Sequence, residues 1–77
     1  MYKVLIVDDE RLIRITLKNM LDWKALDCEV IATVKDGEEA LRVFDELHPE
    51  IVITDLKMPG MDGIELIKKI KIHKSLL

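Results

Sequence analysis

A single cysteine leaves no partner for an internal disulfide, so Cys28 reads as an inert buried thiol on or beside a strand. Aromatic side chains are as scarce. One Trp, one Tyr and one Phe provide no platform on which nucleic-acid bases could stack. Neither sign of charge dominates, because twelve basic residues are interspersed with fifteen acidic ones for a net −3, and direct nucleic-acid contact by this segment is not expected. No apolar run approaches the roughly 18 residues that cross a bilayer, which excludes a spanning helix. A basic start followed by an apolar core and a small-residue cleavage site is also missing, so the expected compartment is the cytoplasm. No Gly-rich turn follows the first apolar run, which removes dinucleotide binding of the usual kind. At 77 residues the chain is at most one domain, too short for a full-sized enzyme and near the lower limit for a self-sufficient core.

What is present is a soluble globular balance, 49% hydrophobic with 35% charged residues, arranged in short regular blocks. Residues 4 to 7, Val-Leu-Ile-Val, are a continuous apolar, mostly β-branched run too short for a helix and bounded by Tyr2-Lys3 on one side and by acids on the other, which predicts a central parallel strand buried on both faces. Asp9 is placed to cap a helix over about residues 10 to 21, with Ile13, Leu17, Met20 and Leu21 as its core face and Arg11, Arg14 and Lys18 in solvent. Residues 22 to 27 lack a period and read as a loop in which Trp23 covers an edge of the core. From Cys28 to Val34 the pattern alternates, Val30, Ala32 and Val34 against Glu29, Ile31 and Thr33, as an edge strand does. Asp36-Gly37-Glu38-Glu39 has capping-box spacing and opens a helix to about residue 47, with Ala40, Phe44 and Leu47 inward, until Pro49 stops it.

The run Ile51-Val52-Ile53-Thr54 then predicts a second buried strand and delivers Asp55 at its tip. Pro59 and Gly60 prevent continuation, and Asp62-Gly63-Ile64-Glu65 restarts a helix at about residue 63 with Ile64, Ile67 and Ile70 expected inside. The order is βαβαβα. Right-handed crossovers make this an α/β, doubly wound parallel sheet with expected strand order 2-1-3, since the first strand is the most uniformly apolar.

That order has a chemical consequence, because it brings Asp8, Asp9 and Asp55 to one end of the sheet, where ligands of open α/β folds collect. Neighbouring carboxylates repel, so a compensating cation is expected. No His or Cys lies nearby in the pattern, and His48 and His73 are isolated and expected to be exposed, so Mg²⁺ suits the set better than Zn²⁺. A carboxylate beside such an ion can act as a nucleophile toward phosphorus, as in an aspartyl-phosphate site.

The segments Val4-Leu5-Ile6-Val7-Asp8-Asp9-Glu10, Asp36-Gly37 with Ala40-Leu41, and Asp55-Leu56-Lys57-Met58-Pro59-Gly60-Met61-Asp62-Gly63 resemble the receiver domains of two-component response regulators. The resemblance implies a flavodoxin-like fold and a phosphoacceptor, not a turnover enzyme. It implies that Asp55 takes a phosphoryl group from a phosphohistidine of a sensor histidine kinase or phosphotransfer protein. Asp8, Asp9 and Asp55 would bind Mg²⁺ together with the Lys57 backbone carbonyl, while Pro59 and Gly63 shape the loop. The surface around Arg11, Leu12 and Ile15 would dock the partner, and an appended output domain would bind DNA, as in relatives that regulate transcription. The family's five strands run 2-1-3-4-5, so residues 1 to 77 correspond to the N-terminal portion of such a domain, without the fourth-strand Ser or Thr and the fifth-strand Lys that contact the phosphoryl group. A module that binds the kinase without switching is the alternative. A phosphohydrolase would require a second acid two residues beyond Asp55, where Lys57 stands. Without a fourth strand the third strand becomes an open edge, and self-association is expected through it or through the third helix, including Ile70, Ile72, Leu76 and Leu77.

Overall fold

The computed structural model describes residues 1 to 75, the side chains of residues 74 and 75 excepted, so the expected contributions of Leu76 and Leu77 lie outside the described residues. Its elements are β1 (Tyr2–Val7), α1 (Arg11–Met20), β2 (Cys28–Val34), α2 (Gly37–Leu47), β3 (Ile51–Thr54) and α3 (Gly63–Ser75). The three strands form one parallel sheet in the order β2-β1-β3, the flavodoxin-like arrangement expected for a partial doubly wound fold.

β1 is central because its side chains can be buried on both faces. Leu5 and Val7 point to one side, where Val34 and Val52 continue the layer and Ala40, Met58 and Leu66 close it. Val4 and Ile6 point to the other, with Cys28, Val30, Ile53, Leu17 and Trp23. Thus α2 and α3 cover one face and α1 the other. Trp23 covers the edge of the α1 side as expected, its indole N–H donated to the Lys18 carbonyl at 3.0 Å. Cys28 is buried at the start of β2, its thiol donated to the Leu26 carbonyl.

Several local expectations are corrected. The alternation in β2 does not run unbroken, because Val4 pairs with Val30 whereas Leu5 pairs with Ala32, leaving Ile31 as a bulge. One extra residue turns the strand over, so Val30 joins the α1 face while Ala32 and Val34 join the opposite one. In α1 no residue is buried, and Met20, placed in the core by its spacing, is 70% exposed. The inward positions are Leu17 and Arg14, because the Arg14 guanidinium is held down by the Asp8 carbonyl, and Ile13 and Leu21 are left outside. Asp9 does not cap α1. Glu10 occupies that position without a side-chain bond, and its N–H goes instead to a carboxylate oxygen of Asp8.

In α2, Asp36 caps as expected, accepting from the Glu39 N–H at 2.8 Å, and Ala40 and Phe44 face inward. Leu47 is exposed because the helix ends there, with His48 in the left-handed region as its C-cap. In α3 the inward stripe is Gly63, Leu66, Ile70 and His73, and Ile64 and Ile67 are exposed. The rotation is set by Gly63, whose backbone abuts that of Asp55 and Leu56. His73 is partly covered and lies 2.8 Å from Asp45 of α2, joining the two helices on that face.

Candidate functional site

The ends of β1 and β3 lie side by side because Val7 pairs with Thr54, so the residues that follow each strand emerge next to one another. The ladder fixes both. The Asp55 N–H is donated to the Val7 carbonyl and the Asp8 N–H to the Val34 carbonyl, each at 3.1 Å, which sets the main chain at both acids as firmly as in the sheet itself.

Asp8, Asp9 and Asp55 come together as expected from the strand order, each offering a carboxylate oxygen within 4.8 Å of the others. Their surroundings differ. Asp8 is only 6% exposed and accepts the Glu10 N–H at 2.9 Å, so one of its oxygens serves the turn into α1. Asp9 is exposed, free of the capping role its position suggested. Asp55 accepts the Lys57 N–H at 3.3 Å, and the Thr54 hydroxyl donates to the Asp55 carbonyl, so the turn beyond β3 is held by bonds within itself. All the donors are carboxylate oxygens, with neither imidazole nor thiolate in the cluster, which is the set a hard divalent cation takes.

The segment after Asp55 is anchored at three points. Met58 is buried against the α2 and α3 layer, the Gly63 N–H is donated to the Leu56 carbonyl at 3.0 Å, and Asp62 caps α3 by accepting the Glu65 N–H at 2.8 Å. Gly60 takes φ +78°, the left-handed turn that lets the chain reverse between them. Pro59 is exposed on the same turn.

The residue that sequence reasoning missed is Arg14. Its spacing places it in solvent, yet its Nη1 donates to the Asp8 carbonyl at 2.7 Å and ties α1 to the turn that carries Asp8. No spacing rule signals a bond between a helix side chain and a carbonyl six residues earlier in a turn.

Comparison with known proteins agrees with this geometry. The family model described as the response regulator receiver domain matches residues 4 to 77. The transcriptional regulatory protein YesN of Bacillus subtilis is 47% identical over 70 residues, covering 91% of this chain and 19% of that protein. The transcriptional regulatory protein HptR of Staphylococcus aureus is 46% identical over 70 residues, 91% of this chain and 28% of its own length. The chain therefore spans less than a third of these curated relatives. Among solved structures, the REC domain of the response regulator AraT from Geobacillus stearothermophilus superimposes with TM-score 0.86 at 41% identity, covering 92% of this chain and 55% of that one. The chemotaxis protein CheY4 of Vibrio cholerae gives 0.83 at 35% identity, with 96% and 59% covered.

Proposed function

The chain belongs to the family of response regulator receiver domains, and on that footing we propose that it is a phosphoacceptor module of two-component signalling with Asp55 as the acceptor. The observation that carries the reading is the meeting of three carboxylates at two adjacent strand ends. A divalent cation fits that donor set, and Mg²⁺ would be held by Asp8, Asp9, Asp55 and the Lys57 backbone carbonyl. When bound, the ion would neutralise charge on the transferring oxygens.

The remaining chemistry belongs to the chain. An Asp55 carboxylate oxygen attacks phosphorus, the bond from phosphorus to the imidazole nitrogen of the donor's phosphohistidine breaks, and the phosphoryl group is left as an acyl phosphate on Asp55. β3 holds the nucleophile's backbone in place, and the Lys57 N–H orients one of its oxygens. Asp8, buried and tied to the α1 turn, supplies a fixed carboxylate on the opposite wall. The donor is a sensor histidine kinase or phosphotransfer protein, docking on the outer surface of α1, where Leu12 is 74% exposed. The module regulates and does not turn over a substrate of its own. Residues 1 to 77 are the N-terminal portion of the receiver, acting in the cytoplasm. No helix among the described residues is long and apolar enough to cross a membrane. The relatives YesN and HptR are named as transcriptional regulatory proteins, which supports an output on transcription.

Incubation of the full-length protein with a small-molecule phosphodonor tests the reading. Acyl-phosphate label is expected with Mg²⁺ and should drop by about tenfold or more with a chelator, the loss expected when charge neutralisation is withdrawn. Equal labelling under both conditions would remove the metal from the mechanism, and no labelling with Mg²⁺ present would leave a non-switching binding module.

Among the described residues no strand lies on the outer side of β3, where Ile51 is exposed, and Ile64, Ile67 and Ile72 of α3 are exposed as well. The 77-residue chain is therefore expected to associate with itself through this edge or this helix. Light scattering coupled to size exclusion at high micromolar concentration should report a mass above that of the monomer, and a clean monomer would contradict it.

A further inference from the structure

The turn that joins β1 to α1 carries two of the three clustered acids, and its main chain is held at successive points. The Asp8 N–H is donated to the Val34 carbonyl at 3.1 Å, and the Glu10 N–H to an Asp8 carboxylate oxygen at 2.9 Å. Between them lies the Asp8–Asp9 peptide, just past the end of β1. No backbone N–H reaches its carbonyl among the described residues, and the Arg14 guanidinium does so at 2.7 Å. Asp9 is exposed and takes part in no hydrogen bond among the described residues, so its direction is inherited from the peptides on either side. Of the cations of α1, Arg14 is half-buried, whereas Arg11 and Lys18 are exposed. Its guanidinium forms no ion pair with Asp8, Asp9 or Asp55 among the described residues. It engages a main-chain oxygen instead, and the carboxylates are left open to a cation.

We infer that Arg14 is a positioning residue for the Asp8–Asp9 pair, clamping the carbonyl between them so that Asp9 stays turned toward the cation it shares with Asp8 and Asp55. A peptide unit is planar, so fixing its oxygen fixes the plane from which the Asp9 Cα departs. The bond is short and charge-assisted, a class about twice as strong as bonds between neutral groups. Without it, the Asp8–Asp9 peptide is free to rotate between its two anchored neighbours, and Asp9 loses its aim. This role presupposes the divalent cation of the proposed function. Its signature is opposite in sign to that of charge alone. A fixed positive charge near a cation site repels the incoming ion, so removing the guanidinium would by electrostatics tighten metal binding. Loss of the clamp weakens it, because groups that orient metal ligands from behind are worth about 10–100-fold in affinity.

The test titrates magnesium chloride into the full-length protein and follows it by calorimetry. Arg14→Met, which keeps the aliphatic stem and has no donor, should weaken Mg²⁺ binding about tenfold. A single N–H makes the bond, so Arg14→Lys, with a donor of similar reach, should recover most of the parent's affinity. Lys18→Met removes an exposed charge of the same helix without touching the turn, and should leave affinity within about twofold. Should Arg14→Met lower the stability of the metal-free protein, the rise in thermal midpoint on adding Mg²⁺ reads the same difference in affinity. With a small-molecule phosphodonor, which needs no docking protein, Arg14→Met should require about tenfold more Mg²⁺ for half-maximal labelling and reach a similar rate at saturation. Unchanged or tighter Mg²⁺ binding by Arg14→Met would overturn the inference and leave the cation site standing. So would an equal loss in Lys18→Met, or no recovery by Arg14→Lys. A parent protein that binds no Mg²⁺ would overturn both this role and the cation site.

Discussion

Asp55→Asn is expected to reduce phosphoryl labelling of the full-length protein to background, a loss on the order of a thousandfold or more, as when a covalent nucleophile is removed. The carboxamide has the shape of the carboxylate but neither its charge nor its nucleophilicity. The fold should hardly notice, because the Asn oxygen can still accept the Lys57 N–H and the backbone bond from residue 55 to the Val7 carbonyl is untouched. An unchanged thermal midpoint alongside lost label would therefore identify a chemical effect. Intact-mass measurement after incubation with a small-molecule phosphodonor reads the result directly. A variant that still acquires the label would move the acceptor to another side chain.

Gly63→Ala is expected to have the largest effect on stability of any single methyl added to the chain. A Cβ at that position would collide with the Asp55 carbonyl oxygen and would lie 2.9 Å from the Leu56 Cα and 3.0 Å from the Asp55 carbonyl carbon. All three are backbone atoms, so no side chain can rotate to make room. Either α3 lifts and Leu66, which is fully buried, loses its packing, or the peptide that carries Asp55 moves. Overpacking of this kind costs about 1–3 kcal/mol, and the upper end applies where backbone must yield. For a domain of this size that lowers the thermal midpoint by roughly 10 °C or more. Gly60→Ala is the control. Its φ of +78° makes alanine strained by about 1–2 kcal/mol, but nothing lies within 4 Å of the added carbon, so the site should survive. Calorimetric scans and phosphodonor labelling of both variants check the contrast, and equal midpoints for Gly63→Ala and the parent would show that α3 is not docked as described.

The contrast between these glycines also shows where sequence reasoning stops. Asp62-Gly63-Ile64-Glu65 announces a helix start, and the helix does begin at Gly63. What spacing alone does not reveal is that Gly63 presses on the main chain of Asp55 and thereby sets the rotation of α3, which exchanges Ile64 and Ile67 for Leu66 on the inner side. The bulge at Ile31 is hidden for a related reason. Alternation is counted from one residue to the next, whereas a bulge is a relation between two strands. The positions of the acids depend on strand order and strand ends, and the uninterrupted apolar, mostly β-branched run at 4 to 7 and the β-branched run at 51 to 54 mark both. Arg14 lay beyond reach, since its partner is a carbonyl in a turn.

The bulge has a further consequence for assembly. A bulge bends the strand that carries it and increases its twist, so the β2 margin of the sheet is a poor template for another strand. Removing Ile31 to restore a regular ladder is therefore expected to straighten that margin and make it a better template for strand addition.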